Sequence, residues 1–356
     1  MMRRVSKVVR VAGIPIGGGN PVVIQSMLGK PPTDIEGNLE EAWRLEAAGC
    51  QIVRVAVPDL ESVRLIALLK ETVHIPVVAD IHFDYKLALE SAAAGVDKIR
   101  INPGNIGSDD KVKAVADTCR EKGIPIRIGV NSGSVEKHIL AKYGHPVPEA
   151  LVDSALYHAS LLERFDFHDI LISMKSQDVP SMIAAYRNAA DRCEYPLHLG
   201  VTHTGTARMG LIKSAMGIGA LLVDGIGDTL RVSLAADPVE EIRAAKEILR
   251  ASGATDAGVD IIACPTCGRT TIDVIRLADQ VYEALKDCET SLSVAVMGCP
   301  VNGPGEAREA DLGVSGGNGT GILFAKGKVL KKVPEDEILP ALLEQVAILR
   351  REREEG

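Results

Sequence analysis

Three cysteines in the last hundred or so residues are spaced for ligation. Cys264 and Cys267 form a CxxC pair in "CPTCGR", and Cys299 sits in "VMGCPVNGPGEA" between an apolar run and a series of glycines and prolines. Glycine and proline fix a backbone path that few other residues tolerate, and a thiol that only fills space needs no such path. A CxxC pair brings two thiolates within reach of one metal or cluster, although zinc knuckles and redox dithiols use it too. Three thiolates leave a tetrahedral zinc or a four-iron cluster one ligand short. No histidine follows His203, so zinc would lack its usual fourth partner. A 4Fe-4S cluster with a weaker oxygen ligand fits better, and Glu306, just after "NGPG", is the candidate. A carboxylate on that iron is exchangeable and can yield to a substrate oxygen.

A second group of residues carries charge. Arg54, Arg100, Arg127, Lys175 and Arg231 lie in or at the ends of β-branched runs, and Asp80, His82, Asn102, Asn131 and His203 lie near the ends of others. Five cations gathered on one face would repel one another unless an anion of several charges lay among them. A diphosphate suits the arginine fork. The bland alternative is pairing with acids inside the fold, for which Asp80 and Asp84 are at hand. The loop "THTGTA" is small, contains a glycine and leads into a helical pattern, as a phosphate cradle does.

The elements that must hold these residues follow from periodicity. Eight short runs (22–27, 52–57, 76–83, 98–104, 125–131, 169–176, 196–202 and 229–234) alternate with helical patterns such as "NLEEAWRLEAAG". Strands alternating with helices imply a parallel sheet of βαβ units. Eight units in about 250 residues fit a closed (β/α)₈ TIM barrel, whose active sites lie at the C-terminal ends of the strands. An open doubly wound sheet is the runner-up, but no GxGxxG follows the first strand. "KVVRVAGIPIGGGNPV" reads as a hairpin able to plug the lower mouth. The long connection 131–168 is expected to build part of the catalytic face. The pattern breaks at "ASGATDAGV", so the expected domains are 1–255, a substrate-binding barrel with its hairpin, and 256–356, a small α+β iron-sulfur domain.

Composition narrows the function. Of 356 residues, 46% are hydrophobic and 25% charged, as in a soluble globular protein. Aromatics are 3% and the net charge is −8, which disfavours a stacking platform for nucleic acid. No apolar run approaches a membrane span and the basic N-terminus lacks a signal-peptide core, so a cytoplasmic protein is expected. Seven cysteines, an odd number, do not read as a disulfide framework. Cys50, Cys119, Cys193 and Cys288 read as plain packing residues.

"CPTCGR" and "MGCPVNGPGEA", with "QSM", "RVAVPD", "ADIHFD", "KIRINPGNIG", "RIGVNSGS" and "RVSL", resemble the 4-hydroxy-3-methylbut-2-enyl diphosphate synthase family of non-mevalonate isoprenoid biosynthesis. The resemblance spans essentially the whole chain in the two-domain bacterial form. It implies an oxidoreductase acting on 2-C-methyl-D-erythritol 2,4-cyclodiphosphate. Reduced flavodoxin or ferredoxin would supply two electrons through one 4Fe-4S cluster per subunit, held by Cys264, Cys267, Cys299 and Glu306. Arg54, His82, Arg100, Asn102, Arg127, Asn131, Lys175 and Arg231 would bind substrate, with Glu306, His203 and Asp80 as the catalytic set. The family's homodimer lets one subunit's cluster domain cap the other's barrel. One departure stands out: where the family has Glu-Ala-Gly, this chain has His203-Thr204-Gly205. Histidine titrates near neutrality and is able to take over the acid role. Two other readings are a redox or iron sensor with an anion-binding barrel, and a pteroate-synthase-type transferase with a zinc-stabilised appendage.

Overall fold

Residues 3–299, 307–317 and 319–355 are described by the structure, a computed structural model. The chain divides into two compact units, Met1–Thr255 and Asp256–Gly356. The first opens with an antiparallel hairpin, β1 (Val9–Val11) and β2 (Ile14–Ile16). Eight parallel strands follow: β3 (Val23–Met27), β4 (Ile52–Ala56), β5 (Val77–Asp80), β6 (Lys98–Ile101), β7 (Ile126–Asn131), β8 (Ile170–Lys175), β9 (His198–Leu199) and β10 (Thr229–Leu230). Their order is β8-β7-β6-β5-β4-β3-β10-β9, so β3 pairs with both β4 and β10. At the remaining seam Ile172 N–H donates to Pro196 O at 3.0 Å, and Ile172 bridges Leu197 in parallel. The sheet closes into the (β/α)₈ barrel expected, not the open alternative.

The helices of this unit are α1 (Ile35–Ala47), α2 (Leu60–Thr72), α3 (Tyr85–Ala93), α4 (Pro103–Ile106), α5 (Asp109–Lys122), α6 (Lys137–Tyr143), α7 (Pro148–Glu163), α8 (Val179–Arg192), α9 (Ala207–Val223) and α10 (Pro238–Ala251). Several begin on an aspartate that accepts a first-turn N–H: Asp34 from Gly37, Asp59 from Ser62, Asp84 from Lys86, Asp178 from Ser181 and Asp237 from Val239. Each such cap contributes about 1 kcal/mol and fixes where a loop of the strand-end face turns into helix.

Side chains alternate across the strands. Ile24, Val53, Val77, Ile99, Ile126, Ile128, Ile170, Ile172, Leu197 and Leu199 face outward into the large core shared with the helices. The intervening positions face inward. At the lower mouth, Val23, Ile52, Val78 and Leu171 pack with Val9, Val11 and Ile16 of the hairpin, which seals the barrel floor. Above this floor the inward positions are polar and buried: Gln25, Lys98, Arg127 and His198, then Arg54, Asp80 and Arg100. A barrel interior is ordinarily filled by branched apolar residues; here only its base is.

The second unit is a five-stranded sheet, β11 (Val259–Ala263), β12 (Leu292–Met297), β13 (Leu312–Gly317), β14 (Thr320–Ala325) and β15 (Lys328–Pro334), in sequence order. The first three strands run parallel and the last two antiparallel. Helices α11 (Val274–Leu285) and α12 (Ile338–Glu355) pack on it through Val281, Leu285, Leu342 and Val346. This is the small α+β domain expected. No helix among the described residues is long and apolar enough to cross a membrane.

Candidate functional site

Strand register explains the gathering of charge in the barrel. Ala56 of β4 pairs with Asp80 of β5, Asp80 with Arg100 of β6 and Arg100 with Arg127 of β7, so Asp80, Arg100 and Arg127 face the interior side by side, with Arg54 two residues before Ala56 on the same face. Asp80 Oδ1 accepts from Arg100 Nη1 at 3.1 Å, and its Oδ2 lies 3.8 Å from both Arg54 Nε and His82 Nε2. Arg100 also donates to Gly129 O at 3.1 Å. A Cβ on Gly129 would stand 2.3 Å from Arg100 Nε, so this mid-strand glycine makes room for the guanidinium. Arg54 donates to Met27 Sδ through Nη2 at 2.8 Å, and Arg231 Nη1 lies 3.4 Å from the same sulfur.

Arg231 Nε is 3.4 Å from Glu241 Oε2, which also accepts from Ser26 Oγ at 3.0 Å, while Glu241 Oε1 accepts from Leu234 N at 3.0 Å. Part of the bland reading therefore holds: Arg54 and Arg100 share Asp80, and Arg231 has Glu241. Arg127 differs. It is fully buried on the second residue of β7 rather than at its end; Nη1 donates to Ser173 Oγ, and Nε and Nη2 have no hydrogen-bond partner among the described residues.

The electrostatics are those of a cationic well. Burial alone would raise the Asp80 carboxyl, but Arg54, Arg100, His82 and Arg127 outweigh it and hold it well below the usual carboxylate range. Burial pulls the Arg54 guanidinium down to about 10 despite Asp80. Burial, then Arg54, Arg231, Arg127 and Arg100, hold the Lys175 ammonium well below its ordinary value. Lys175 is only half-buried by surface, so solvent at the mouth softens that effect. Each cation here would gain from an anion.

The remaining barrel candidates lie on the same strand-end face. Asn102 is buried just beyond β6, its carbonyl accepting from Asn105 N at 2.9 Å, and Asn131 ends β7 opposite Lys175. His82, half-exposed, follows β5. In the loop between β9 and α9, His203 is exposed with φ of 51°, a left-handed conformation costly to most residues. The loop is anchored beside it by Thr204 Oγ1, which donates to Ser233 O at 2.7 Å. The long connection 131–168 carries a 3₁₀ turn at Ser132–Ser134, then α6 and α7.

In the second unit, β11 and β12 are parallel neighbours, with Ala263 opposite Val296, so the loops leaving their C-terminal ends meet. Thus "CPTCGR" is brought to the turn bearing Cys299 across a long stretch of sequence. Cys264 Sγ accepts from Gly298 N at 3.1 Å, and Thr271 N donates to Gly298 O at 2.9 Å. A Cβ on Gly298 would stand 2.9 Å from Thr270 Cγ2, and one on Gly316 2.8 Å from Gly298 O, so the glycines permit this approach. Cys299 is buried and Cys267 exposed; the Arg269 backbone N–H, then its side chain, lower the Cys267 thiol and favour thiolate. Burial instead pushes Cys50 and Cys119 up to about 12, as packing residues should be. Among the described residues, no three His, Cys, Asp or Glu side chains are close enough to hold a metal ion. Glu306 lies outside the described residues.

Met27, Ser173, Gly129 and Glu241 escape the sequence reading, though two left a signal. Gly129 interrupts a β-branched run, and Glu241 falls on the apolar stripe of α10 with Ile242, Ala245 and Ile248.

Comparison with known proteins agrees along the whole chain. Residues 6–246 match the GcpE TIM-barrel domain and residues 260–348 the GcpE protein C-terminal domain. A Fusobacterium nucleatum protein named 4-hydroxy-3-methylbut-2-en-1-yl diphosphate synthase (flavodoxin) is 56% identical over 97% of this chain and 98% of its own. Proteins of the same name from Bacillus cytotoxicus (52%, covering 99% and 96%) and Clostridium perfringens (54%, covering 96% and 98%) are similar over their full length too. Among solved structures, the Yersinia pestis dihydropteroate synthase superposes with a TM-score of 0.51 at 14% identity, over 69% of this chain and 98% of that one. Type I 3-dehydroquinate dehydratase from Clostridium difficile does so at 0.50 and 15%, over 70% and 99%. Those two likenesses show the barrel fold alone. With both domains matched and full-length relatives above half identity, the chain belongs to the GcpE family, that of the 4-hydroxy-3-methylbut-2-en-1-yl diphosphate synthases.

Proposed function

We propose that this protein is an oxidoreductase that converts 2-C-methyl-D-erythritol 2,4-cyclodiphosphate to 4-hydroxy-3-methylbut-2-enyl diphosphate, with uptake of two electrons and two protons and loss of water. The observation that carries the reading is the set of five cations facing the barrel interior, Arg54, Arg100, Arg127, Lys175 and Arg231, against two carboxylates, Asp80 shared by Arg54 and Arg100 and Glu241 on Arg231. That excess suits a diphosphate. In this reading residues 1–255 bind substrate and 256–356 carry the cofactor.

Cys264, Cys267 and Cys299, with Glu306 as the exchangeable ligand, would hold one 4Fe-4S cluster per subunit. The donor set fits it. Cys264 sulfur already accepts a backbone N–H, Cys267 is biased toward thiolate, and no histidine of the chain lies in this unit to favour zinc. A bound cluster supplies single electrons to the substrate at low potential. The barrel residues bind and orient: the arginines and Lys175 neutralise the diphosphate, while Asn102, Asn131 and His82 contact the substrate's polar groups. Asp80 fixes the forks of Arg54 and Arg100 and stays ionised, so it serves as a fixed counter-charge in the site rather than as a proton donor. His203 donates the proton that leaves in water.

The relatives' names support reduced flavodoxin as donor, with ferredoxin as the other candidate. A homodimer, in which one subunit's cysteine domain serves the other's barrel, belongs to the same proposal, as does a cytoplasmic location. The test is anaerobic turnover of the cyclodiphosphate with reduced flavodoxin. Product formed in step with flavodoxin oxidation is expected. Protein loaded with iron and sulfide that leaves the cyclodiphosphate intact would instead support the sensor reading.

A further inference from the structure

Beneath the proposed substrate site, the barrel interior holds three polar residues that the reaction does not use, under an arginine, Arg127, that faces both. Lys98, Gln25 and His198 face inward on β6, β3 and β9, each 0–1% exposed, and Arg127 closes the layer from above at 0%. Lys98 Nζ crosses the interior to Gln25 Oε1 at 3.0 Å, so its partner is an amide oxygen rather than a carboxylate. Gln25 Nε2, both ring nitrogens of His198, and Arg127 Nε and Nη2 are buried without a hydrogen-bond partner among the described residues. Buried polar groups left unmatched each cost about 1–3 kcal/mol, and an uncompensated buried cation costs more.

The carboxylate that acts on Arg127, Asp80, is committed to Arg100 and Arg54. Burial, then Arg127, lowers the basicity of Lys98, and burial, then Arg127, Lys175 and Lys98, that of His198. Below, the layer rests on the apolar floor of Val23, Ile52, Val78 and Leu171. A buried layer that presents a lysine amine, a guanidinium, an amide N–H₂ and an imidazole N–H above an apolar floor offers hydrogen-bond donors to a small anion. Because the Lys98 side chain already spans the interior to Gln25, a single-atom ion suits the layer better than a phosphate.

We propose that the layer formed by Gln25, Lys98, Arg127 and His198 is a structural site for a halide ion, chloride in the cell, separate from the diphosphate site above it. Bound there, the ion matches the orphaned donors and holds Arg127 from below.

Bromide is the probe. Crystals of the holoenzyme soaked in bromide should show an anomalous peak among Lys98 Nζ, Gln25 Nε2, Arg127 and His198, and that peak should persist when inorganic diphosphate is bound. In solution, replacing gluconate by bromide or chloride at constant ionic strength should raise the melting temperature saturably, as mass action requires. Lys98→Met, which keeps the length of the side chain and removes its charge, should abolish that rise. It should weaken diphosphate binding far less than Arg100→Ala, for which at least about a tenfold loss is expected. No anomalous peak together with a halide-independent melting temperature would overturn the proposal, leaving water as the occupant. So would a halide response that survives in Lys98→Met, or displacement of bromide by diphosphate, which would assign the layer to the substrate site. The wild-type crystal measurement stands even if the variant fails to fold.

Discussion

At the scale of single residues, the cysteines divide by environment. Cys50 and Cys119 are buried in the barrel core with thiols pushed up to about 12, whereas Cys264 and Cys267 sit on a glycine- and proline-stiffened loop against the turn of Cys299. Serine at 264, 267 or 299 should cost most of the protein's iron and sulfide and all turnover, measured by anaerobic metal analysis; alanine at 50, 119, 193 or 288 should keep the full complement. A 264, 267 or 299 variant with full iron would remove that residue from the ligand set. Asp80 makes a pH-dependent contribution. Its folded-state carboxyl titrates below the unfolded value near about 4, so its stabilisation is complete above that pH and is lost as pH falls toward the depressed value. Asp80→Asn should lower stability by about 3–5 kcal/mol at pH 7, and denaturant melts should show the gap to wild type narrowing at pH 3. An unchanged gap would point to lost packing rather than charge. For His203, a proton donor predicts a kcat loss of about 10²–10⁴-fold in His203→Ala with analogue affinity retained, and activity in His203→Glu. Impaired binding with normal kcat would make it a phosphate contact. Strand-end cations and cysteine motifs were legible because type and spacing carry them. Glu241's grip on Arg231 was not, because it depends on which helix face meets which strand.

At the scale of elements, all eight barrel strands could be read from β-branched runs, although β9 and β10 are only two residues long, His198–Leu199 and Thr229–Leu230. Their runs continue past the ladder, where Thr202 N donates to Ser176 O and Ser233 O accepts from Thr204 Oγ1. Period-two alternation places apolar residues outside and charged ones inside, but a sequence does not say which face of a strand is the barrel interior; the interior polar layer was therefore hidden. Gly129 is the element-level device most open to test. Its missing side chain gives Arg100 its place beside Asp80. Gly129→Ala should displace that guanidinium and weaken a nonreactive diphosphate analogue by about 1.5–3 kcal/mol, as loss of one charge-assisted contact does. Calorimetric titration with circular dichroism as a fold control checks this, and wild-type affinity would mean Arg100 finds another path.

At the scale of the whole molecule, two units with separate cores, one around the barrel and one around the five-stranded sheet, carry the two halves of the proposed chemistry. The break at residues 251–259 was visible as a lapse in the strand–helix rhythm. The meeting of Cys264 with the Cys299 turn was visible only as a shared rigidity, since parallel pairing of β11 with β12 brings them together. The hairpin of Val9–Val11 and Ile14–Ile16 has a consequence of its own, because its side chains stopper the base of the barrel. A flask with a sealed base has one neck. Incoming cyclodiphosphate and outgoing linear diphosphate must pass through that neck in turn, so a product molecule lingering on the arginines blocks the next arrival outright. Inhibition by product should therefore be purely competitive with substrate.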